Sequence, residues 1–403
     1  LKGFKDILPD EVGKWQLLEE TAKNLLESFG YNQIRTPILE KTALFERGVG
    51  DATDIVEKEM YTFLDKSGES VTLRPEGTAG VARAFIENNL EASVFNKLYY
   101  IGPMFRYERP QKGRFRQFHQ IGAECFGIRS PAIDAEIVYI NKLLFEKLNI
   151  KGSLEINNIG CKSCRPAYSK ALINYFETHK EYLCTDCQKR LYKNPLRILD
   201  CKNEKCKIVS KQAPRLKDYV CENCQNHYNG VKEYLEVLNI EYVENDMLVR
   251  GLDYYTSFVF EFVDTITLSA GGRYDNLIAD LGGSNICGVG FALGEERLID
   301  IMNIESKNTI DIYIANLGVS SYALKILQIL KHFPYSIYCE YDSKSLKSML
   351  KKADRLNATV SIIVGEEEFK NNTCIVRNMK QSSQEIIKLN QIESTLKGVL
   401  YAT

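Results

Sequence analysis

Eight of the twelve cysteines fall between residues 161 and 224, and they come in pairs. Cys161 with Cys164, Cys184 with Cys187 and Cys221 with Cys224 have C-x2-C spacing; Cys201 and Cys206 have C-x4-C spacing. A segment of about 70 residues buries little core of its own, so thiols at this spacing read as staples. The chain opens on Leu1-Lys-Gly-Phe-Lys-Asp, with no apolar signal-like run. A reducing, cytoplasmic setting is therefore expected, rather than a secreted disulfide framework. Residue 1 is not Met, so a few leading residues are expected to be missing. Eight thiolates suffice for two tetrahedral four-cysteine zinc sites. Spacing leaves open which pairs would share an ion, and reduced, metal-free thiols are the plain alternative. The other four (Cys125, Cys287, Cys339, Cys374) stand singly among apolar or mixed neighbours and read as small core hydrophobes.

The cysteine-rich segment is also basic. Residues 161 to 227 hold 14 Lys/Arg against 7 Asp/Glu in a chain of net charge -1. A basic insert in a neutral protein points to a local polyanion contact. No run of eighteen apolar residues occurs, so no membrane span is expected.

Elsewhere the pattern is that of a large folded enzyme-sized chain. Trp15, Leu18, Ala22, Leu25, Leu26 and Phe29 recur at helical spacing, and Gly30 closes the helix. "YNQIRTPILEKTALF" reads as a strand ending near Pro37. "EKEMYTFLDKSGESVTLRP" reads as a hairpin turning at Lys66-Ser67-Gly68. "GTAGVARAFIENNL" reads as a helix. "KLYYIGPMFRYE" and "RQFHQIGAECFG" read as paired strands, and "AIDAEIVYINKLLFEKLNI" as a long helix. These runs predict a mainly antiparallel sheet with flanking helices. A polar linker, Asn303 to Thr309, leads into alternating strand and helix signals, which predict a small α/β domain. The expected fold class is thus α+β, with boundaries at 1–160 and 231–302 for the main domain, 161–230 for the insert and 309–403 for the last domain.

Five cations (Arg106, Arg109, Lys112, Arg114, Arg116) crowd into eleven residues with one acid, Glu108. A solvated hairpin would carry such charge; so would an anion site. Gln120 and Glu124 share one face of the return strand, because side chains alternate. "RPEGTAG" sets a carboxylate, a glycine and a hydroxyl (Glu76, Gly77, Thr78) at a helix start. "LVRGLDYY" and "GVGFALGEERL" add Arg250 and Arg297. Read singly, these are a helix entry, a partnered buried arginine and an exposed helical arginine. Together they supply four arginines for one anion.

Taken in order, the segments resemble the class II aminoacyl-tRNA synthetases, and within them the histidyl-tRNA synthetase family. "RTPILEKTALFERGVG", with Pro37, looks like the first, dimer-forming motif. "IGPMFRYERPQKGRFRQFHQIGAECFG" looks like the second and "GFALGEERL" like the third. "LVRGLDYYTSFVFEF" and "SAGGRYDNLI" resemble the two histidine-specific segments, and the likeness runs through the C-terminus.

The resemblance implies an ATP-dependent, AMP-forming histidine–tRNA ligase, acting as a homodimer, with Mg2+ on the nucleotide and an anticodon-binding C-terminal domain. It implies Arg106 on the α-phosphate, Arg297 on the γ-phosphate, and Arg114 and Glu108 at the ATP site. It places Glu76, Gly77, Thr78 and Gln120 around the histidine amino group, and Glu124, Tyr254, Tyr255 and Tyr274 at the imidazole. Arg250 would bridge the histidine carboxylate and the α-phosphate, and the insert would clamp the tRNA acceptor arm. Two rival readings are a non-catalytic paralogue, the regulatory subunit of ATP phosphoribosyltransferase, and a zinc-containing nucleic-acid-binding protein. The retained Arg106, Arg250 and Arg297 argue against both.

Overall fold

The computed structural model describes residues 1–50, 53–111, 113–303, 310–342 and 345–400. Lys112 and most of the expected linker lie outside the described residues. The chain divides into two compact units, Leu1–Ile7 with Lys14–Ile304, and Leu8–Gly13 with Glu305–Thr403.

The larger unit is built, among the described residues, on an eight-stranded sheet. In spatial order its strands are Asn32–Gln33, Lys97–Phe105, Gln117–Phe126, Gly288–Gly294, Thr267–Arg273, Thr256–Val263, Ser153–Asn158 and Val243–Glu244. The six inner strands pair antiparallel, and the two short edge strands pair parallel. The predicted antiparallel sheet is therefore present. Lys97–Phe105 and Gln117–Phe126 form a hairpin in which Gly102 faces Gln120 and Leu98 faces Glu124. The helices Pro9–Ser28 and Pro131–Lys147 cover one face through Leu18, Leu25, Ile137, Val138 and Leu144, as their apolar spacing requires. Ser130 caps the second of these, accepting from the Ala132 N–H at 3.3 Å.

One buried charge network ties these layers together. Arg273 donates from Nε to Asp134 at 3.0 Å and from Nη2 at 2.5 Å, with neither side chain appreciably exposed. His227 lies 3.1 Å from the same carboxylate. A buried guanidinium and carboxylate tolerate burial only as such a fork.

The strand expected to end near Pro37 is present only as the short Asn32–Gln33, which stops ahead of it. Asn32–Gln33 and Leu39–Lys41 are separate strands on two different sheets, and Thr42–Val49 is a helix. Pro37 lies between the strands; its ring fixes φ and removes a ladder donor, so one continuous strand cannot pass through it. The hairpin over 61–73 does form, with Gly68 at φ +84° in its turn.

Residues 165–237 are helical: Arg165–Glu177, Thr185–Lys193, Leu196–Leu199, Glu204–Ser210 and Glu222–Val237. Their buried side chains do not form a separate core, although they are more numerous than a segment of this length was expected to bury. Tyr168, Leu172, Phe176 and Leu191 belong to the same buried cluster as Val81, Phe85 and Tyr100 of the main body.

The smaller unit is a five-stranded mixed sheet in the order Ile337–Cys339, Ile312–Asn316, Val360–Val364, Thr373–Asn378, Gln384–Lys388. The first three strands are parallel and the last two antiparallel, which agrees with the expected α/β domain. Of the four isolated cysteines, Cys125, Cys287 and Cys374 are buried as expected, and Cys339 is half-buried.

Candidate active site and cysteine quartets

On the sheet of the larger unit lies a cavity of about 250 Å3. Its lining includes ten of the sequence-assigned residues: Glu76, Thr78, Arg106, Glu108, Arg114, Gln120, Arg250, Tyr254, Tyr255 and Arg297. Gly77, Glu124 and Tyr274 stand behind this lining. The five-cation cluster therefore splits. Arg106 and Arg114 reach the cavity, whereas Arg116 stacks on the Tyr107 ring at 3.6 Å and Arg109 is exposed.

Each arginine has its own partner. Arg106 follows the strand Lys97–Phe105, donates from Nε to the Pro75 carbonyl at 2.8 Å, and lies 5.3 Å from the Phe118 ring centre. Arg114 donates to Glu108 at 3.2 Å. Arg297, on the helix Glu295–Ile301, donates to the Thr267 carbonyl at 2.7 Å. Burial and the neighbouring Arg114 hold its pKa below the ordinary arginine value. Arg250 donates to Glu261 and lies 5.5 Å from the Tyr255 ring centre. Burial pulls its pKa down, but the Glu261 carboxylate together with Tyr255 and Tyr254 more than offsets this, so its pKa stands above the usual value. Glu261 was not singled out in the sequence. It sits in the apolar run "TSFVFEFV", where a charged residue on a buried strand was the available signal.

The same cavity also carries acceptors. The Glu76 carboxylate accepts from the Thr78 N–H at 2.8 Å and the Ala79 N–H at 2.7 Å, at the start of the helix Thr78–Glu87. The anion expected at this helix start is thus supplied by the chain itself. Glu124 has no exposed surface; it accepts the Thr78 hydroxyl at 2.7 Å and the Tyr274 hydroxyl. Burial pushes its pKa up to about 8; the Tyr274 and Thr78 hydrogen bonds pull against this, and the Glu76 charge adds to it. Burial raises Glu76 as well, with its backbone hydrogen bonds opposing. Gln120 Oε1 is buried without a partner among the described residues.

Two glycines make this packing possible. A Cβ on Gly77 would lie 2.2 Å from the Tyr100 ring. One on Gly290 would lie 1.9 Å from Glu124 Oε2 and 2.6 Å from the Ala123 carbonyl oxygen. Both positions therefore demand glycine for close approach.

The eight paired cysteines gather into two quartets that could hold a metal ion: Cys161, Cys164, Cys221 and Cys224, and Cys184, Cys187, Cys201 and Cys206. In the first, sulfur–sulfur distances are 3.5 Å for Cys161–Cys164, 4.0 Å for Cys161–Cys221 and 3.9 Å for Cys164–Cys224. Cys184 and Cys201 of the second are 3.8 Å apart. Tetrahedral zinc with Zn–S near 2.3 Å requires sulfurs about 3.8 Å apart, so the donor sets fit such an ion. Backbone N–H groups also point at these sulfurs: Cys221 N to Cys164 Sγ and Cys184 N to Cys206 Sγ, both at 3.1 Å. Such donors favour thiolate over thiol. The pairing that spacing left open is thus first with last, and second with third.

An antiparallel sheet with four arginines around one cavity, Arg106 and Arg114 from the loop after Lys97–Phe105, Arg250 from the segment before Thr256–Val263 and Arg297 from the helix Glu295–Ile301, defines a class II synthetase core. Comparison with known proteins places it within that class. The histidyl-tRNA synthetase family model matches residues 3–162 and 192–298, and an anticodon-binding domain model matches 301–398. The histidine–tRNA ligase of Thermodesulfovibrio yellowstonii is 47% identical over 97% of this chain and 96% of its own. That of Acetivibrio thermocellus is 48% identical over 98% of each. The crystal structure of apo histidyl-tRNA synthetase from S. aureus superposes with a TM-score of 0.82 at 36% identity, covering 98% of this chain and 99% of that one. This chain belongs to the histidyl-tRNA synthetase family. The interval the family model leaves unmatched, 163–191, falls inside the cysteine-rich segment.

Proposed function

We propose that the chain is a histidine–tRNA ligase. It joins L-histidine to ATP, forming histidyl-adenylate and pyrophosphate, then transfers histidine to the 3' end of its tRNA. The observation that carries this reading is one cavity lined by both acceptors and arginines. Glu76, Thr78 and Gln120 line it, with the buried Glu124 behind Thr78, and suit an ammonium and an imidazole. Arg106, Arg114, Arg250 and Arg297 suit a carboxylate and a triphosphate.

The chemistry follows from that polarity. A histidine carboxylate must attack the α-phosphorus of ATP, and the two groups repel each other. Arg250, beside the Tyr255 ring, meets both groups, while Arg106 meets the α-phosphate oxygen. Their guanidiniums stabilise the charge that develops as the carboxylate–phosphorus bond forms and the bond to pyrophosphate breaks. Glu261 holds Arg250 in place before the substrates arrive. Arg114 and Arg297 receive the outer phosphates and then the leaving pyrophosphate. Mg2+ supplies further neutralisation of the β- and γ-phosphates. The four carboxylates lining the cavity are already engaged, Glu76 by the Thr78 N–H, Glu108 by Arg114, Glu261 by Arg250 and Glu296 by His119, so the ion would arrive on the nucleotide rather than be caged by the protein. Glu124 and Tyr274 bond to each other here; once turned towards a ligand, they would find no partner on an analogue without imidazole nitrogens, which is rejected for that reason.

Zinc in both cysteine quartets, a homodimer and a cytoplasmic location belong to the same reading. Ile38, Leu39, Phe63 and Leu64 are exposed apolar residues beside the Pro37 segment, and they support a subunit interface there. Residues 1–160 and 231–302 form the catalytic domain, 161–230 the insert that meets the tRNA acceptor arm through its basic surface, and 309–403 the anticodon-binding domain. The test is histidine-dependent ATP–pyrophosphate exchange followed by aminoacylation of histidine tRNA. Exchange with histidine but with no other amino acid is expected, and its absence from folded, ATP-binding protein sinks the reading.

A further inference from the structure

The histidine pocket is walled by Tyr254 and Tyr255, which precede the strand Thr256–Val263 in a segment without helix or strand geometry. Residues in such a segment lack the full ladder of hydrogen bonds that would otherwise hold them, so neighbouring groups must fix their backbone. Here the neighbours belong to the first cysteine quartet. Cys164 is followed directly by Arg165, which begins the helix Arg165–Glu177. The Arg165 guanidinium donates from Nη1 to the Asp253 carbonyl at 3.2 Å and from Nη2 to the Tyr255 carbonyl. On the other flank, Cys224 Sγ lies 3.5 Å from the Ser257 hydroxyl. Ser257 has left-handed φ (+50°) and exchanges backbone hydrogen bonds with Gly160 and Ile159, just before Cys161. The tyrosine pair is therefore gripped on both sides by residues adjoining one quartet.

We infer that the quartet Cys161, Cys164, Cys221 and Cys224 is a positioning device for the histidine pocket, acting through Arg165. This rests on the zinc reading above. A bound ion fixes Cys164 against Cys221 and Cys224, which lie some 60 residues further along the chain. That closure sets the start of the helix and hence the Arg165 fork. Without it the fork loses its anchor, the Asp253–Tyr255 carbonyls are released, and the tyrosines no longer meet the imidazole in a single arrangement. Arg106, Arg114 and Arg297, which hold the rest of ATP, lie on other segments and are not affected through this route, and Arg250 beside the Tyr255 ring keeps its anchor on Glu261. Loss of zinc thus lowers histidine affinity selectively, which couples metal occupancy to amino acid activation.

The experiment compares full-length wild type with Arg165→Met and with Cys161→Ser/Cys221→Ser. Metal per chain is counted by mass spectrometry, and histidine and ATP affinities are measured separately by calorimetry. Wild type and Arg165→Met are expected to hold two zinc ions, and the double variant one. Both variants are expected to bind histidine at least tenfold more weakly (about 1.4 kcal/mol), with ATP affinity within about twofold. Arg165→Met removes the fork and keeps the sulfurs, so it tests the clamp even if the cysteine variant folds poorly. Unchanged histidine affinity in a folded Arg165→Met protein overturns the inference. So does an equal loss for both ligands, which would mark a general loosening. Wild type without zinc overturns the zinc reading and, with it, control of the clamp by metal. Zinc that is lost from the double variant while histidine affinity holds overturns this inference alone.

Discussion

Glu124 accepts the Thr78 hydroxyl at 2.7 Å within a core that leaves the carboxylate no exposed surface. Thr78 is the first residue of the helix Thr78–Glu87, and Glu124 lies on the strand Gln117–Phe126. The bond therefore joins the amino-group side of the cavity to its imidazole side. A buried carboxyl next to Glu76 gains more from its proton than from its charge, which is why its pKa reaches about 8.

That shift has a sign that can be measured. In the unfolded chain Glu124 ionises near pH ~4.3; in the fold it does so near about 8. Its contribution to stability is fully present below the unfolded value and is lost as pH rises towards about 8. Glu124→Gln, neutral throughout, should therefore gain stability relative to wild type across that window, by on the order of a few kcal/mol, and no further above it. Urea unfolding at several pH values reads the difference. A constant difference from pH 5 to 8 would show that Glu124 is already ionised in the fold.

Arg250→Lys keeps a cation beside Glu261 and loses the planar fork. Histidine-dependent pyrophosphate exchange should fall at least ~100-fold, the scale of losing one oriented donor. The melting temperature should change little, because the charge pair is preserved. Exchange near the wild-type rate would remove Arg250 from the mechanism.

Gly290→Ala asks for space that is not there. The new methyl would meet Glu124 Oε2 at 1.9 Å and the Ala123 carbonyl at 2.6 Å, and the second of these is backbone paired within the sheet. A destabilisation of roughly 1–3 kcal/mol is expected, together with weaker histidine binding as Glu124 is displaced. Calorimetric melting that matches wild type would contradict the close approach.

Light scattering at micromolar concentration should report twice the mass of one chain, through the exposed apolar residues flanking Pro37. Leu64→Glu, at a position 69% exposed, should shift the population towards monomer without unfolding it. A wild-type monomer at that concentration would refute the subunit interface.

The sequence by itself determined the antiparallel class of the larger body, the mixed α/β character of the smaller one, and the set of arginines, acids and tyrosines around the cavity. These were legible because they are local: alternation along the 97–126 hairpin, helical spacing over 9–28, and short motifs in family order. The strand expected to end near Pro37 does end ahead of it, because the ring fixes φ and removes a ladder donor inside the same run. Only the tertiary structure decided which cysteines face one another, that Glu261 holds Arg250, and that Arg165 grips the carbonyls beside the tyrosine pair. Those partners are separated by 60 residues in one quartet, 11 in the ion pair, and 88 and 90 in the clamp. Periodicity reports which face of an element is buried, but not which distant side chain meets it; that is settled when the sheet closes and the layers pack.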